Sequence, residues 1–520
     1  MEEQFILKKR LLFLLIPILA VVSVLFSMRT QTEQREPGQV LRLHLNSFPI
    51  LDPRSVAFSH ASSLIVIPML YRGLTRIDFT GAPSLCLASS FRIDQEGQLY
   101  IFKLKRELWS DGTPITSRDF AESWRSSLDP AFPSLSSTLL FCIRNAERIK
   151  QGEADPQSLG VYTPNDEELL VELEYFIPVE TFLEMLSKPP FFAAGSYTEE
   201  GGISLLYNGP YLPIRSKKKS QIFELKKNPF CSEEAFFPLV RFLISEKESY
   251  PLLLFSRFEL DWIGAPNIFL TGDLFFAELG EKIERVCSEM SVGTFWLICN
   301  TDSPKLSSEE KRWKLYRMLD RDSLCCLLGQ DFSPAYNLFP DKTREGAQHH
   351  GHFTFSKEEP DREPLHLLFR DRSCEPLIAS CVGEQIEKTG TQVKIRSVRA
   401  LPAFLSETEN NEFDLAVFKW VWTCRDPYEF FSVFLSQNCG IPKSNSRQLL
   451  AEFEEEQKKR GKKNLFWIDL EREVMKTLPV IPLVHEPFRA LKRKELQNVI
   501  VLPGGQVDFS RAYWEASGAK

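Results

Sequence analysis

The sequence predicts an α/β protein built from several lobes, and three observations point there. Strand-like and helix-like segments alternate irregularly over roughly 480 residues. Residues 365–396 read as a strand–helix–strand unit, the building block of α/β layers. The chain has 520 residues, which at about 150 per domain gives three or four structural units. That is ample to bury a large core. The irregular order fits separate α/β lobes better than one parallel barrel.

The elements follow in chain order. Lys8, Lys9 and Arg10 precede Leu11–Met28, eighteen uncharged residues closed by Arg29. A basic flank before an apolar run is what export machinery reads. The run is longer than a usual signal core and barely long enough to span a bilayer. Residues 1–28 are therefore a cleaved signal peptide or a retained N-terminal anchor in the inner membrane. A lipoprotein needs Cys directly after the run, and the first is Cys86, so this signal does not lipidate the chain. Residues 29–39 form a polar linker. Leu41, Leu43 and Leu45 alternate with polar residues as in a strand. Leu99–Lys105 repeats that pattern after a turn at Asp94–Gly97. Trp109–Thr116 makes a turn into a helix opening at Ser117, with Phe120 and Trp124 on its apolar face. Further strands are expected at 169–173, 221–225, 292–300, 365–369, 392–396 and 479–484. Helices are expected at 308–328, as one amphipathic piece, at 376–388 and within 448–476. The polar stretch 341–363 and the Lys217–Lys219 tip read as surface loops.

Composition narrows the function. Charged residues make up 26% and apolar ones 43%, so disorder and a polytopic membrane protein are excluded. Asp+Glu at 70 exceeds Lys+Arg at 63, a balance that does not fit a nucleic-acid binder. The eleven cysteines form no CxxC pair, and most sit among apolar neighbours as small buried hydrophobes. His349, His350 and His352 crowd one loop without the partners a metal site needs. Phosphate-loop, zinc-protease and serine-nucleophile motifs are absent, so an enzyme is not expected. The aromatic segment 418–431 is more informative. Strand alternation puts Trp420 and Trp422 on one face, where flat rings serve either as core or as the wall of an apolar pocket.

Several segments then converge on one family. Leu51-Asp52-Pro53, Tyr71-Arg72-Gly73-Leu74, Trp109 to Thr116 (WSDGTPIT) with Asp119-Phe120, Asn208-Gly209-Pro210-Tyr211 with Lys227-Asn228-Pro229, Asn300-Thr301 with Leu319-Asp320-Arg321, and Pro479–Leu483 occur in this order. The chain from Val40 to Trp514 resembles the extracytoplasmic solute-binding proteins of peptide ABC importers, the family 5 oligopeptide/dipeptide type. The WSDG stretch is the specific match; family members carry YEGL where this chain has YRGL.

The resemblance implies a two-lobed periplasmic-binding-protein clamp of the type II, venus-flytrap kind with an extra inserted domain. Residues 40–70, 190–290 and 485–520 would form lobe I, 71–189 the insert and 291–484 lobe II, with crossings near 290 and 484. It also implies periplasmic binding of peptides or peptide-like solutes, delivery to a membrane permease by hinge closure, and neither a cofactor nor bond chemistry. The ligand residues it points to are Trp420, Val421, Trp422, Thr423 and Asp426, with Asn46 after the first strand. Thr423 stands where peptide binders place the Asp that receives a free ammonium, and Val417 where one oligopeptide binder has Arg. An ammonium buried without an anion is costly. Either Asp426 or another acid substitutes, or the ligand lacks a free amine, or it is not a peptide. A membrane-tethered sensor or interaction protein on the same scaffold is the alternative.

Overall fold

The structure is a computed structural model. It describes residues 40–515 except 57–59, 95–96, 135, 200–201, 215–220, 247–248, 265–282, 330, 340–362, 373, 400, 411, 422–470, 472–473 and 503–504. The N-terminal segment, the HHGH loop and most of the 448–476 helices expected from sequence lie outside the described residues.

Three sheets organise the described chain. In the first, Val40–Leu45 pairs in parallel with Leu239–Ile244, which continues antiparallel to Ile222–Lys227 and Tyr211–Ile214. Leu41, Leu43 and Leu45 are buried, as their alternation predicts. The second sheet orders Ala88–Ile93, Leu99–Leu104, Glu168–Glu172 and Val161–Asn165, all antiparallel. The third has seven strands. Its path runs Trp262–Gly264, Val480–Arg493, Ile283–Cys299, Leu415–Val421, Leu365–Arg370 and Val393–Val398, with Ser333–Pro334 beside Val480–Arg493. Leu365–Arg370 and Val393–Val398 are parallel and flank the Glu375–Glu387 helix, the expected strand–helix–strand unit.

The WSDG stretch is a local folding device. Asp111 Oδ1 accepts hydrogen bonds from the Thr113 backbone N–H at 2.9 Å and its hydroxyl at 2.6 Å. Gly112 sits at φ +85°, the left-handed region that glycine enters without a Cβ penalty. The Asp119 carboxylate accepts from the Thr116 backbone N–H at 2.6 Å and so closes the first turn of the Ser117–Ser127 helix. Phe120 and Trp124 of that helix are fully buried.

Three motifs that are far apart in sequence meet in space. The Arg72 backbone N–H donates to Asn208 Oδ1 at 2.7 Å, and Arg72 Nε donates to the Asn208 carbonyl at 2.8 Å. Gly209 N–H donates to Leu70 O, and Asn228 Nδ2 donates to Gly209 O, both at 2.8 Å. A Cβ on Gly209 would sit 2.5 Å from the Leu70 carbonyl carbon, so only glycine fits there. Arg72 Nη2 pairs with Glu107 at 2.7 Å, and both side chains are under a tenth exposed. The cation in place of the family's YEGL acid is thus matched by an acid from another segment.

Three expectations need correction. The 308–328 helix is two helices, Glu309–Met318 and Arg321–Leu328. Asp320 caps the second by accepting from Ser323 N–H at 3.0 Å, and the buried Arg321 reaches the Ala335 and Pro482 carbonyls. The strand expected at 479–484 runs on to Arg493, and that expected at 292–300 begins at Ile283. Proline argues against an interior strand, yet Pro487 and Pro482 both sit where the ladder shifts register, opposite Ser291 and Trp296. The described cysteines are free thiols; Cys86, Cys142, Cys299 and Cys374 are buried, the first pushed up to about 11 by burial.

Candidate functional site

The aromatic segment begins on Leu415–Val421, held between two neighbours. Gly293, Thr294 and Phe295 face Val421, Trp420 and Lys419 across one ladder, and Glu486, His485 and Val484 across the other. Residues opposite one another share a face of the sheet. Trp420, Thr294 and His485 therefore form one row, and Lys419, Phe295 and Val484 the next, on the opposite face.

The Trp420 row is polar at one end and aromatic at the other. His485 Nδ1 lies 2.8 Å from Thr294 Oγ1. Burial pulls the His485 imidazole down to about 4, so it is neutral at pH 7. Trp420 stacks on Trp296 with ring centres 5.5 Å apart and planes 14° off parallel. Trp296 is 1% exposed and belongs to the core, whereas Trp420 is half-buried. Trp420 thus has one ring backed by core, an arrangement in which its remaining surface can receive an apolar group with little loss of freedom. The backbone is tight here: a Cβ on Gly293 would lie 2.2 Å from the Trp420 carbonyl oxygen.

The opposite row is structural. Lys419 makes an ion pair with Glu486 and lies over the Phe295 ring. Val417 is fully buried opposite Leu297, in the cluster beneath the Glu375–Glu387 helix.

A second group comes from the first sheet. Asn46 follows Val40–Leu45 and is half-buried. Next to it, the Ser47 hydroxyl lies 3.3 Å from His60 Nε2, and Ser47 N–H donates to Ser62 Oγ at 3.2 Å. His60 caps the Ala61–Leu70 helix, its Nδ1 accepting from Ser63 N–H at 3.3 Å. Burial, then the positive charge of Arg372, hold the His60 imidazole below its ordinary range. Arg372 follows Leu365–Arg370 of the seven-stranded sheet, so its charge reaches the imidazole that starts the Ala61–Leu70 helix.

Of the expected ligand residues, Trp420 and Val421 end one strand of the seven-stranded sheet, and Asn46 directly follows a strand of the four-stranded one. Trp422, Thr423 and Asp426 lie outside the described residues. Sequence reasoning missed Trp296, Thr294, His485, His60 and Arg372. Only strand register and tertiary packing bring these residues forward. Among the described residues no group of three His, Cys, Asp or Glu is placed to hold a metal ion, and no helix is long and apolar enough to cross a membrane.

Comparison with known proteins fits this geometry. Residues 82–440 match the profile described as bacterial extracellular solute-binding proteins, family 5 Middle. The oligopeptide-binding protein OppA of Bacillus subtilis is 24% identical over 487 residues, covering 86% of this chain and 88% of that one. The probable deoxycholate-binding periplasmic protein YgiS of Escherichia coli is 25% identical over 492 residues, covering 87% and 89%. The solved murein tripeptide binding protein MppA of Escherichia coli superposes with a TM-score of 0.75 at 21% identity, over 92% of this chain and 98% of that one. The fold is the two-lobed periplasmic-binding-protein clamp of mixed α/β structure. The relatives named are binding proteins rather than enzymes. The chain belongs to family 5 of the bacterial extracellular solute-binding proteins.

Proposed function

We propose that this protein captures peptides or peptide-like solutes outside the cytoplasm and hands them to an ABC import permease. The observation that carries the reading is Trp420, half-exposed on a core-backed Trp296. Asn46, half-buried after the first strand of the four-stranded sheet, is the group we expect from the other side. Ligand held between groups from two sheets favours the closed arrangement, and closure presents one surface to the permease. The ladder between Ile283–Cys299 and Val480–Arg493 shifts register at Ser288–Gly293. We take those bulges as the hinge, with lobe I, insert and lobe II divided as the sequence resemblance implies. Names of relatives support a peptide ligand, since OppA is an oligopeptide-binding and MppA a murein peptide-binding protein. Residues 1–28 would direct export, with or without cleavage.

A second reading has its own support. Val417, where one oligopeptide binder has Arg, is buried in core here and offers a carboxylate nothing. One relative's name gives deoxycholate as its ligand. A solute without a free ammonium or carboxylate would suit such a site, in a carrier or in a tethered sensor. The deciding experiment is native mass spectrometry of protein purified from cells, then thermal shift with peptides bearing free or acetylated amines. A peptide at a hundred times its Kd should add about 2.7 kcal/mol. Equal shifts from both peptide sets favour amine-independent capture. No ligand and no shift from any peptide would sink the transport reading.

A further inference from the structure

A cavity of about 50 Å³ lies apart from the Trp420 row, and none of its walls comes from the strands that carry Trp420, Thr294 or His485. Its walls come from the 71–77 segment, from Ser187–Phe192 and from the C-terminal 502–511 segment, with Cys86 and Glu233. The donors around it outnumber the acceptors. Lys188 is 2% exposed, and its Nζ has no protein hydrogen-bond partner. Arg511 and Gln506 line the same cavity, and Arg511 Nη2 and Gln506 Nε2 are buried without a protein partner as well. Buried donors are almost always satisfied, so unsatisfied ones on three residues of a single cavity call for an acceptor.

The acids in the wall are already engaged. Glu233 pairs with Arg76 and lies 4.0 Å from Arg72. The Asp508 carboxylate accepts from Ser510 N–H at 2.7 Å, and burial pushes it up against the pull of Arg511. Neither leaves an unsatisfied oxygen among the buried atoms. The uncompensated group is the Lys188 ammonium, and a lone buried ammonium is costly. The space, about 50 Å³, suits an ion or a few waters better than a peptide.

We propose that this cavity binds a small inorganic anion of chloride's size, gripped by Lys188, Arg511 and Gln506. The anion ties the Ser187–Phe192 turn to the C-terminal segment. It acts on the cohesion of the fold and not on the solute at Trp420.

The test uses the full-length chain at fixed ionic strength, with sodium chloride or bromide exchanged for sodium gluconate, whose anion is too large to enter. Chloride and bromide should raise Tm saturably, by about 3 °C at a hundred times Kd for a unit of this size, and gluconate should not. Lys188→Met should abolish the shift while its Tm in gluconate equals or exceeds that of the wild type. Coincident chloride and gluconate curves for the wild type would mean that the cavity holds only water, and would overturn the proposal. So would a full shift retained in Lys188→Met. Should that variant fail to fold, bromide-soaked crystals of the wild type decide: an anomalous peak beside Lys188 Nζ supports the site, and its absence refutes it.

Discussion

Replacing Glu107 by Met should destabilise the protein by about 3 kcal/mol, because it strands a buried cation. Glu107 accepts from Arg72 Nη2 at 2.7 Å and from the Ser232 hydroxyl at 2.6 Å. The pair is 6% and 9% exposed, so solvent screening does not discount it. Without Glu107 the guanidinium keeps neutral partners, the Asn208 carbonyl and the Ser232 hydroxyl, and one acid, Glu233 at 4.0 Å, already paired with Arg76. That places the cost at the low end of the ~3–5 kcal/mol seen when one partner of a buried pair is removed. Val40–Glu515 forms one compact unit. At about 2.1 cal/mol/K per residue its unfolding entropy is roughly 1 kcal/mol/K, so Tm should fall by about 3 °C. The assay is urea unfolding of wild type, Glu107→Met, Arg72→Met and the double variant. The double variant should lose far less than the sum, since two apolar groups leave no orphan charge. The pH dependence has a definite sign. Burial alone would raise the Glu107 carboxyl, but the hydrogen bonds from Arg72 and Ser232 and the Arg72 charge hold it below its ordinary value. Its contribution is therefore whole above about pH 4.3 and fades as pH falls through the lower folded value. A cost below about 1 kcal/mol, the range of an exposed pair, would refute the reasoning. Additive single variants would refute it equally.

Three further outcomes are expected. Trp420→Ala should weaken solute binding at least tenfold by calorimetry while lowering stability by only about 1 kcal/mol for the lost ring stack, and Trp420→Phe should recover most of the affinity. Gly293→Ala, whose Cβ would meet the Trp420 carbonyl at 2.2 Å, must push the strand aside, costing about 1–3 kcal/mol in urea unfolding and reducing the ligand-induced thermal shift. Burial holds the His44 imidazole at about 4, against an ordinary 6.5, while its Nε2 lies 3.0 Å from the Ser245 carbonyl. Its contribution is full above pH 6.5 and lost as pH falls towards 4, by about 3 kcal/mol at most. His44→Gln should lessen the loss of stability between those two pH values, with the buried His485 supplying what remains.

What could be read in the sequence was what neighbouring residues settle among themselves. The WSDG turn and its helix start rest on contacts within about one turn, Asp111 to Thr113 and Asp119 to Thr116, so the letters sufficed. Val40–Leu45 and the strand–helix–strand at 365–398 were legible because alternation and amphipathicity are local. The helix break was hidden, because Leu319 and Leu324 continue the apolar spacing while Asp320 interrupts the backbone. Pro487 and a charged run disguised the second half of Val480–Arg493, which only its long partner strand makes extended. At the site, Trp420 was visible as an aromatic beside another, but Trp296 lies on a different strand and needed the register to be known. Lys188 looked like any lysine before two prolines; its seclusion depends on segments that arrive from the far end of the chain.

The position of Val480–Arg493 sets an order of assembly. It is the last strand of the seven-stranded sheet to be made, yet it lies between Trp262–Gly264 and Ile283–Cys299. Val40–Leu45 likewise waits for Leu239–Ile244, some two hundred residues later. A chain threaded through a membrane from its N-terminus would emerge with both large sheets unfinished and their edges open. Long-range pairings of this kind are slow to form and expose sticky edges meanwhile. A chain so threaded could finish folding only after almost its whole length had cleared the exit. A truncation that removes the final forty residues would delete an inner strand of the largest sheet rather than trim a tail.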